Sequence, residues 1–147
     1  MSTQLAAALA TACVGGLIAL QAPINSHLGK ATGTFAAALI SFLVGTAVLL
    51  VITAFAGQLD EVSGATTVRW HYLLGGLLGA AYVTTVLLTV RTLGAGGVTA
   101  ATVAGQLTAA MVVDRLGVLG LDKTPITAAR LAGVLLLFVG TVLVIRT

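Results

Sequence analysis

The chain has 147 residues, 59% of them apolar and only 7% charged, where ordinary soluble domains carry roughly 25%. Seven basic and four acidic side chains cannot clothe a water-soluble fold of this length, so lipid must be the solvent for most of the surface. The isoelectric point near 9.6 does not signal nucleic acid, because the basic residues are scattered singly and form no stripe.

A spanning helix needs about 20 residues to cross ~30 Å of hydrocarbon, and five segments meet that length. They lie near Leu5–Gln21, Phe35–Ala56, Tyr72–Thr92, Gly97–Val113 and Ile126–Ile145, the fourth being short. Backbone groups must be paired within lipid, which leaves helices or a closed barrel. The alternation of apolar and polar residues that a barrel requires is absent. The expected fold is an all-α integral membrane protein with five transmembrane helices in one domain, 1–147.

The N-terminal MSTQ lacks the positive region of a cleaved signal peptide, so the first apolar run reads as a retained helix. Cys13, the single cysteine, permits no internal disulfide or cysteine metal site and reads as a small buried apolar residue. At the end of this run, Gln21 and Asn25 stand four apart with Pro23 between them. They share a helix face if the helix continues, and Pro23 then removes a donor and frees carbonyls near residue 19. A broken helix bearing carboxamides is one way to build a polar site without buried charge. The other reading ends the first helix at Gln21 and leaves an interfacial loop.

Short turn-rich connections join the spans at Asn25–Thr34, Gly57–His71, Leu93–Gly96 and Asp114–Pro125. On the second helix, Ala37, Ser41 and Gly45 recur every four residues; Gly75 and Gly79 do so on the third, and Ala129 and Gly133 on the fifth. Small residues at that spacing let backbones approach closely in lipid, either as static packing or as a sliding surface. Trp70 and Tyr72 open the third helix, where amphipathic rings favour the membrane interface. Tyr82, near Gly79, places a phenol mid-helix, to lie over a ligand or to fill space. Thr124-Pro125 reads as the start of the last helix.

The fourth segment puts Thr99, Thr102 and Gln106 on one face, by their spacing of three and four. Threonine hydroxyls often bond back to their own helix, but a glutamine amide has donors and acceptors that need partners at membrane depth. Gln106 is read as a ligand group or as interhelical glue. All four carboxylates, Asp60, Glu61, Asp114 and Asp122, fall outside the expected membrane centre. His27 and His71 are single interfacial residues that fill helix ends or carry protons. No catalytic constellation or metal-ligand set appears, and nothing calls for a cofactor, so the expectation is not an enzyme.

With five spans, one membrane face carries Lys30, Arg91 and Arg146, and the other Arg69, Arg115, Lys123 and Arg130. Orientation normally follows a clear excess of Lys and Arg on the cytoplasmic side, and here there is almost none. Either the chain inserts under a weak bias or another signal, or it inserts both ways and pairs antiparallel.

The stretches GLIALQAPINSHLGKATGTFAAALISFLVGT, WHYLLGGLLGAAYV, LGAGGVTAATVAGQLTAAMVVDRLGVLG and RLAGVLLLFVGTVLV together resemble the short, five-helix YdcZ-like branch of the drug/metabolite transporter superfamily. The resemblance runs from about Gly15 to Val144. Its most specific pieces are Gln21-x-Pro23-x-Asn25, Gly75-Gly76-x-x-Gly79 leading to Tyr82, and Gly105-Gln106 followed by Asp114-Arg115-x-Gly117. It implies a bacterial inner-membrane exporter whose unit corresponds to half of a ten-helix, inverted-repeat transporter. Some such chains occur as oppositely oriented pairs, others as single chains taking both orientations, and the even charge count fits the latter. Small multidrug resistance relatives exchange protons on a membrane-embedded glutamate; this chain has no acid in that place.

The resulting expectation is an antiparallel, dual-topology homodimer, or a pair with a homologous opposite partner, enclosing a polar cavity in the lipid bilayer. Gln21, Asn25 and Gln106 would bind a small neutral or zwitterionic metabolite, with Thr99 and Thr102 as secondary ligands and Tyr82 as a stacking wall. Ser41, Gly45, Gly75, Gly79 and Gly133 would pack helices. The alternatives are a small dual-topology channel or a non-transporting membrane scaffold.

Overall fold

The computed structural model describes residues 2–118 and 121–146. Its main elements are four helices: α1 (Thr3–Thr32), α2 (Thr34–Phe55), α3 (Gly75–Leu116) and α4 (Ala128–Arg146), with no strand among the described residues. Two short 3-10 helices, Asp60–Thr66 and Trp70–Leu74, lie between α2 and α3. Each of α1, α2, α4 and the run Trp70–Leu116 is long and apolar enough to cross a membrane. Their outward side chains are mostly large and apolar, Phe35, Leu77 and Leu136 among them, as lipid as solvent demands.

The first helix differs most from expectation. α1 does not end near Gln21 but continues to Thr32, with Pro23 inside it. Proline removes one backbone donor, yet every other backbone group at membrane depth still needs a partner, and helix is the local way to supply it. At 30 residues, α1 is about 45 Å long, enough to cross hydrocarbon and headgroups together. The interfacial loop expected over Asn25–Thr34 therefore shrinks to one residue, Gly33. Cys13 is exposed rather than buried, because a thiol is apolar enough to face lipid.

Gly33 adopts φ 88°, ψ 157°, a region essentially closed to side-chain-bearing residues. Its N–H closes α1 by donating to the Gly29 carbonyl at 3.0 Å, and its own carbonyl accepts from Ala37 N–H at 3.0 Å as α2 begins. The same device recurs inside α3. Gly94, at φ 68°, ψ 170°, breaks the helix into stretches 75–93 and 95–116, within the connection expected at Leu93–Gly96. The expected third and fourth spans thus adjoin with one residue between them, and the helix persists past Val113 to Leu116.

The last helix starts later than Thr124-Pro125 suggests. Its first turn is capped by Thr127, whose hydroxyl accepts from Arg130 N–H at 3.3 Å, a standard hydroxyl cap three residues ahead of its donor. Thr124 N–H instead donates to the Asp114 carbonyl at 2.8 Å, tying the connection back to the end of α3. Leu119 and Gly120 of that connection lie outside the described residues.

The chain packs as two compact units, Met1–Arg91 and Thr92–Thr147. In the first, Ala37 and Ala38 of α2 meet Val83 and Leu87 of α3, flanked by Leu28 and Tyr82. Gly29 permits this approach: a Cβ there would already be 3.6 Å from Ala37 Cβ, 3.7 Å from Leu87 Cδ2 and 3.6 Å from Arg91 Nη2. The Arg91 guanidinium thus lies at the C-terminal end of α1, where the helix dipole favours a cation. In the second unit, Thr141 of α4 donates its hydroxyl to the Ala100 carbonyl at 3.1 Å or to its own helix at Leu137, 2.8 Å.

Candidate functional site

Three of the six expected ligand residues come together in the first unit. Gln21 and Asn25 share a face of α1 because that helix runs through Pro23, and Tyr82 faces them from α3. With Ile18, Ala22, Val83 and Val86 they line a cleft of about 10 Å³, close to the smallest space that holds one water. The lining contains no charged side chain. Asn25 is 6% exposed, and its Nδ2 donates to Ser41 Oγ of α2 at 3.1 Å. That bond uses one of the amide's two donors and leaves its carbonyl uncommitted. No side-chain nitrogen or oxygen among the described residues is both buried and unpartnered, so the remaining capacity of Asn25 is not sealed away. Gln21 is exposed and Tyr82 half-buried.

Thr99, Thr102 and Gln106 belong to the second unit, on stretch 95–116. Thr99 and Thr102 are half-buried and Gln106 is exposed. In contrast, Thr85, Thr89 and Thr108 return their hydroxyls to their own helix at 2.8–2.9 Å.

The packing residues divide. Ser41 is the acceptor for Asn25, and a Cβ at Gly79 would stand 3.3 Å from the Phe42 ring, a true close approach between α2 and α3. Gly45, Gly75 and Gly133 have nothing within 4 Å of a built Cβ, so their missing side chains serve no close approach among the described residues. A close approach between stretch 95–116 and α4 escaped the small-residue pattern. A Cβ at Gly97 would lie 3.1 Å from Leu93 Cβ and 3.3 Å from Ile145 Cγ1.

Sequence reasoning also missed an ion pair. Arg130 Nη1, in the first turn of α4, donates to Asp114 Oδ2, near the end of α3, at 3.2 Å, with side chains 43% and 35% exposed. Beside it opens a cavity of about 220 Å³ lined by Leu107, Ala110, Met111, Asp114, Arg130 and Gly133. Asp114 and Arg130 stand sixteen positions apart across a connection whose path the sequence does not reveal. The only signal was that each charge sits at the end of an apolar span.

A family model described as "Putative inner membrane exporter, YdcZ" matches residues 6–143. The chain belongs to the YdcZ family. As a YdcZ-family chain with four helices capable of spanning a bilayer, it is a multi-pass protein of the inner membrane, and its class is that of membrane exporters. No curated protein and no solved structure matches it.

Proposed function

We propose that this YdcZ-family chain exports a small neutral or zwitterionic metabolite as a dual-topology homodimer, each copy contributing five spans. The observation that carries the reading is the meeting of Gln21, Asn25 and Tyr82 in one uncharged cleft of the first unit. Hydrogen-bonding groups without a fixed charge suit a ligand without net charge, since a lone ion would be desolvated with no counterion. A cleft with room for about one water is the closed state of a carrier site, which widens when the helices part. Thr99, Thr102 and Gln106 of the second unit serve as further hydrogen-bonding groups for the ligand, and the oppositely inserted copy supplies the inverted half.

A second reading, in which the polar groups only hold helices together, is favoured by the Asn25–Ser41 hydrogen bond. One experiment separates the two. Purified protein in proteoliposomes is screened for saturable exchange of radiolabelled neutral and zwitterionic metabolites. Gln21→Ala, Asn25→Ala and Gln106→Leu are then compared for transport and thermal stability. Export predicts at least tenfold losses of transport with little change in stability. Full transport in all three removes the proposed site, and parallel losses of both properties return the residues to helix glue. Ohmic current without saturation would make the protein a channel.

A further inference from the structure

The cavity beside Asp114 and Arg130 is more than an order of magnitude larger than the Gln21 cleft and has a different chemistry. Its floor and walls are apolar: Leu107, Ala110 and Met111 descend one face of α3, opposite Gly133 of α4. Its polar end holds one cation and one anion that touch each other through a single hydrogen bond. An arginine has five donors and a carboxylate about four acceptor positions, so most of both remains available. Both groups are more than a third exposed.

Gly133 makes the space. Glycine within a helix is less stable than alanine, and here it permits no close approach, since nothing lies within 4 Å of a built Cβ. What the absent side chain leaves is room. The volume exceeds the ~150 Å³ apolar cavity that suffices to hold a benzene ring.

The direction of the cavity identifies its occupant. Asp114 lies in the last turn of α3 and Arg130 in the first turn of α4, where the helices leave the membrane. Leu107 lies two turns deeper, about 10 Å along the helix. Polar end outward and apolar end inward is the polarity of a lipid in its leaflet. A neutral pair of opposite charges complements a headgroup that also carries both. We propose that this groove binds a zwitterionic phospholipid of the ammonium–phosphate class, its phosphate on Arg130, its ammonium on Asp114, and an acyl chain over Met111 and Gly133. A protonated amine donates hydrogen bonds to the carboxylate that a quaternary amine cannot, so phosphatidylethanolamine is preferred over phosphatidylcholine. Phosphatidylglycerol, lacking a cation, meets only half of the pair.

The full chain in detergent is titrated with dihexanoyl-phosphatidylethanolamine, -choline and -glycerol, and with glycerophosphoethanolamine as the headgroup alone. Native mass spectrometry and thermal stability are the readouts. The expected result is ethanolamine lipid bound at least tenfold tighter than glycerol lipid, choline lipid between them, and no binding of the bare headgroup. Gly133→Leu, which fills the space, should abolish binding, while Gly133→Ala folds as a control. Asp114→Asn should bring the ethanolamine and glycerol lipids to equal affinity, a readout that survives should Gly133→Leu fail to fold. Equal affinities in the wild type, undiminished binding to Gly133→Leu, or binding of the headgroup alone would each overturn the proposal. So would a change of oligomeric state in Gly133→Leu without loss of lipid, which would give the cavity to a neighbouring copy.

Discussion

Asn25 and Ser41 are joined by a hydrogen bond across sixteen positions of chain, and Gly33 stands midway between them. Gly29 and Ala37, in contact range one turn closer to the linker, are symmetric about the same residue. Two helices related in this way form an antiparallel hairpin whose register is set by its linker and pinned by one polar contact. Ser41→Ala removes the acceptor and leaves the Asn25 amide facing the cleft. Its expected cost is about 0.6 kcal/mol and at most about 1.7, the range for hydrogen bonds between membrane helices, measured by denaturant unfolding in mixed micelles. A loss above ~2 kcal/mol would mean that the bond organises more than the hairpin.

Gly33→Ala and Gly94→Ala should each cost about 1–3 kcal/mol, because their positive φ with extended ψ admits glycine almost alone. Gly15→Ala, in open helical surroundings, should stabilise the chain by up to ~1 kcal/mol. Thermal unfolding of the three variants side by side checks both signs.

At Gly97 the space is occupied, so Gly97→Ala forces Leu93 or Ile145 to move and should cost roughly 1–3 kcal/mol as overpacking. Gly105→Ala adds a methyl to the same stretch in open space and should be neutral or stabilising. Equal behaviour of the two would show that α4 does not seat on Gly97.

Dual topology has its own test. Single cysteines placed within residues 57–71, in a Cys13→Ser background, should label from both faces of native membranes. Two or three lysines added to one connection should fix the orientation and abolish transport, and mixing with an oppositely biased variant should restore it. Labelling from one face alone removes the antiparallel dimer.

The helices were legible because apolar runs in lipid have one local solution, whereas their ends were not. Gln21, Pro23 and Asn25 look like a turn by residue type, and only the continuation of α1 makes the two carboxamides neighbours on one face. Thr127 is a weaker cap signal than Pro125 in the sequence, although it caps α4 in the structure. Gln21, Asn25 and Tyr82 stand out in the sequence as polar groups at depth, and α1 and α3 bring them to one cleft. Asp114 and Arg130 do not stand out in the same way, since charges at helix ends look like ordinary boundary residues until the connection folds back and joins them.

Gly33 also constrains how the chain can turn over in the bilayer. One residue spans no more than about 3.6 Å, so α1 and α2 keep opposed directions and neither can reverse without the other. A change of orientation is therefore a property of the hairpin, and a lysine added at either of its outer ends acts on both helices at once.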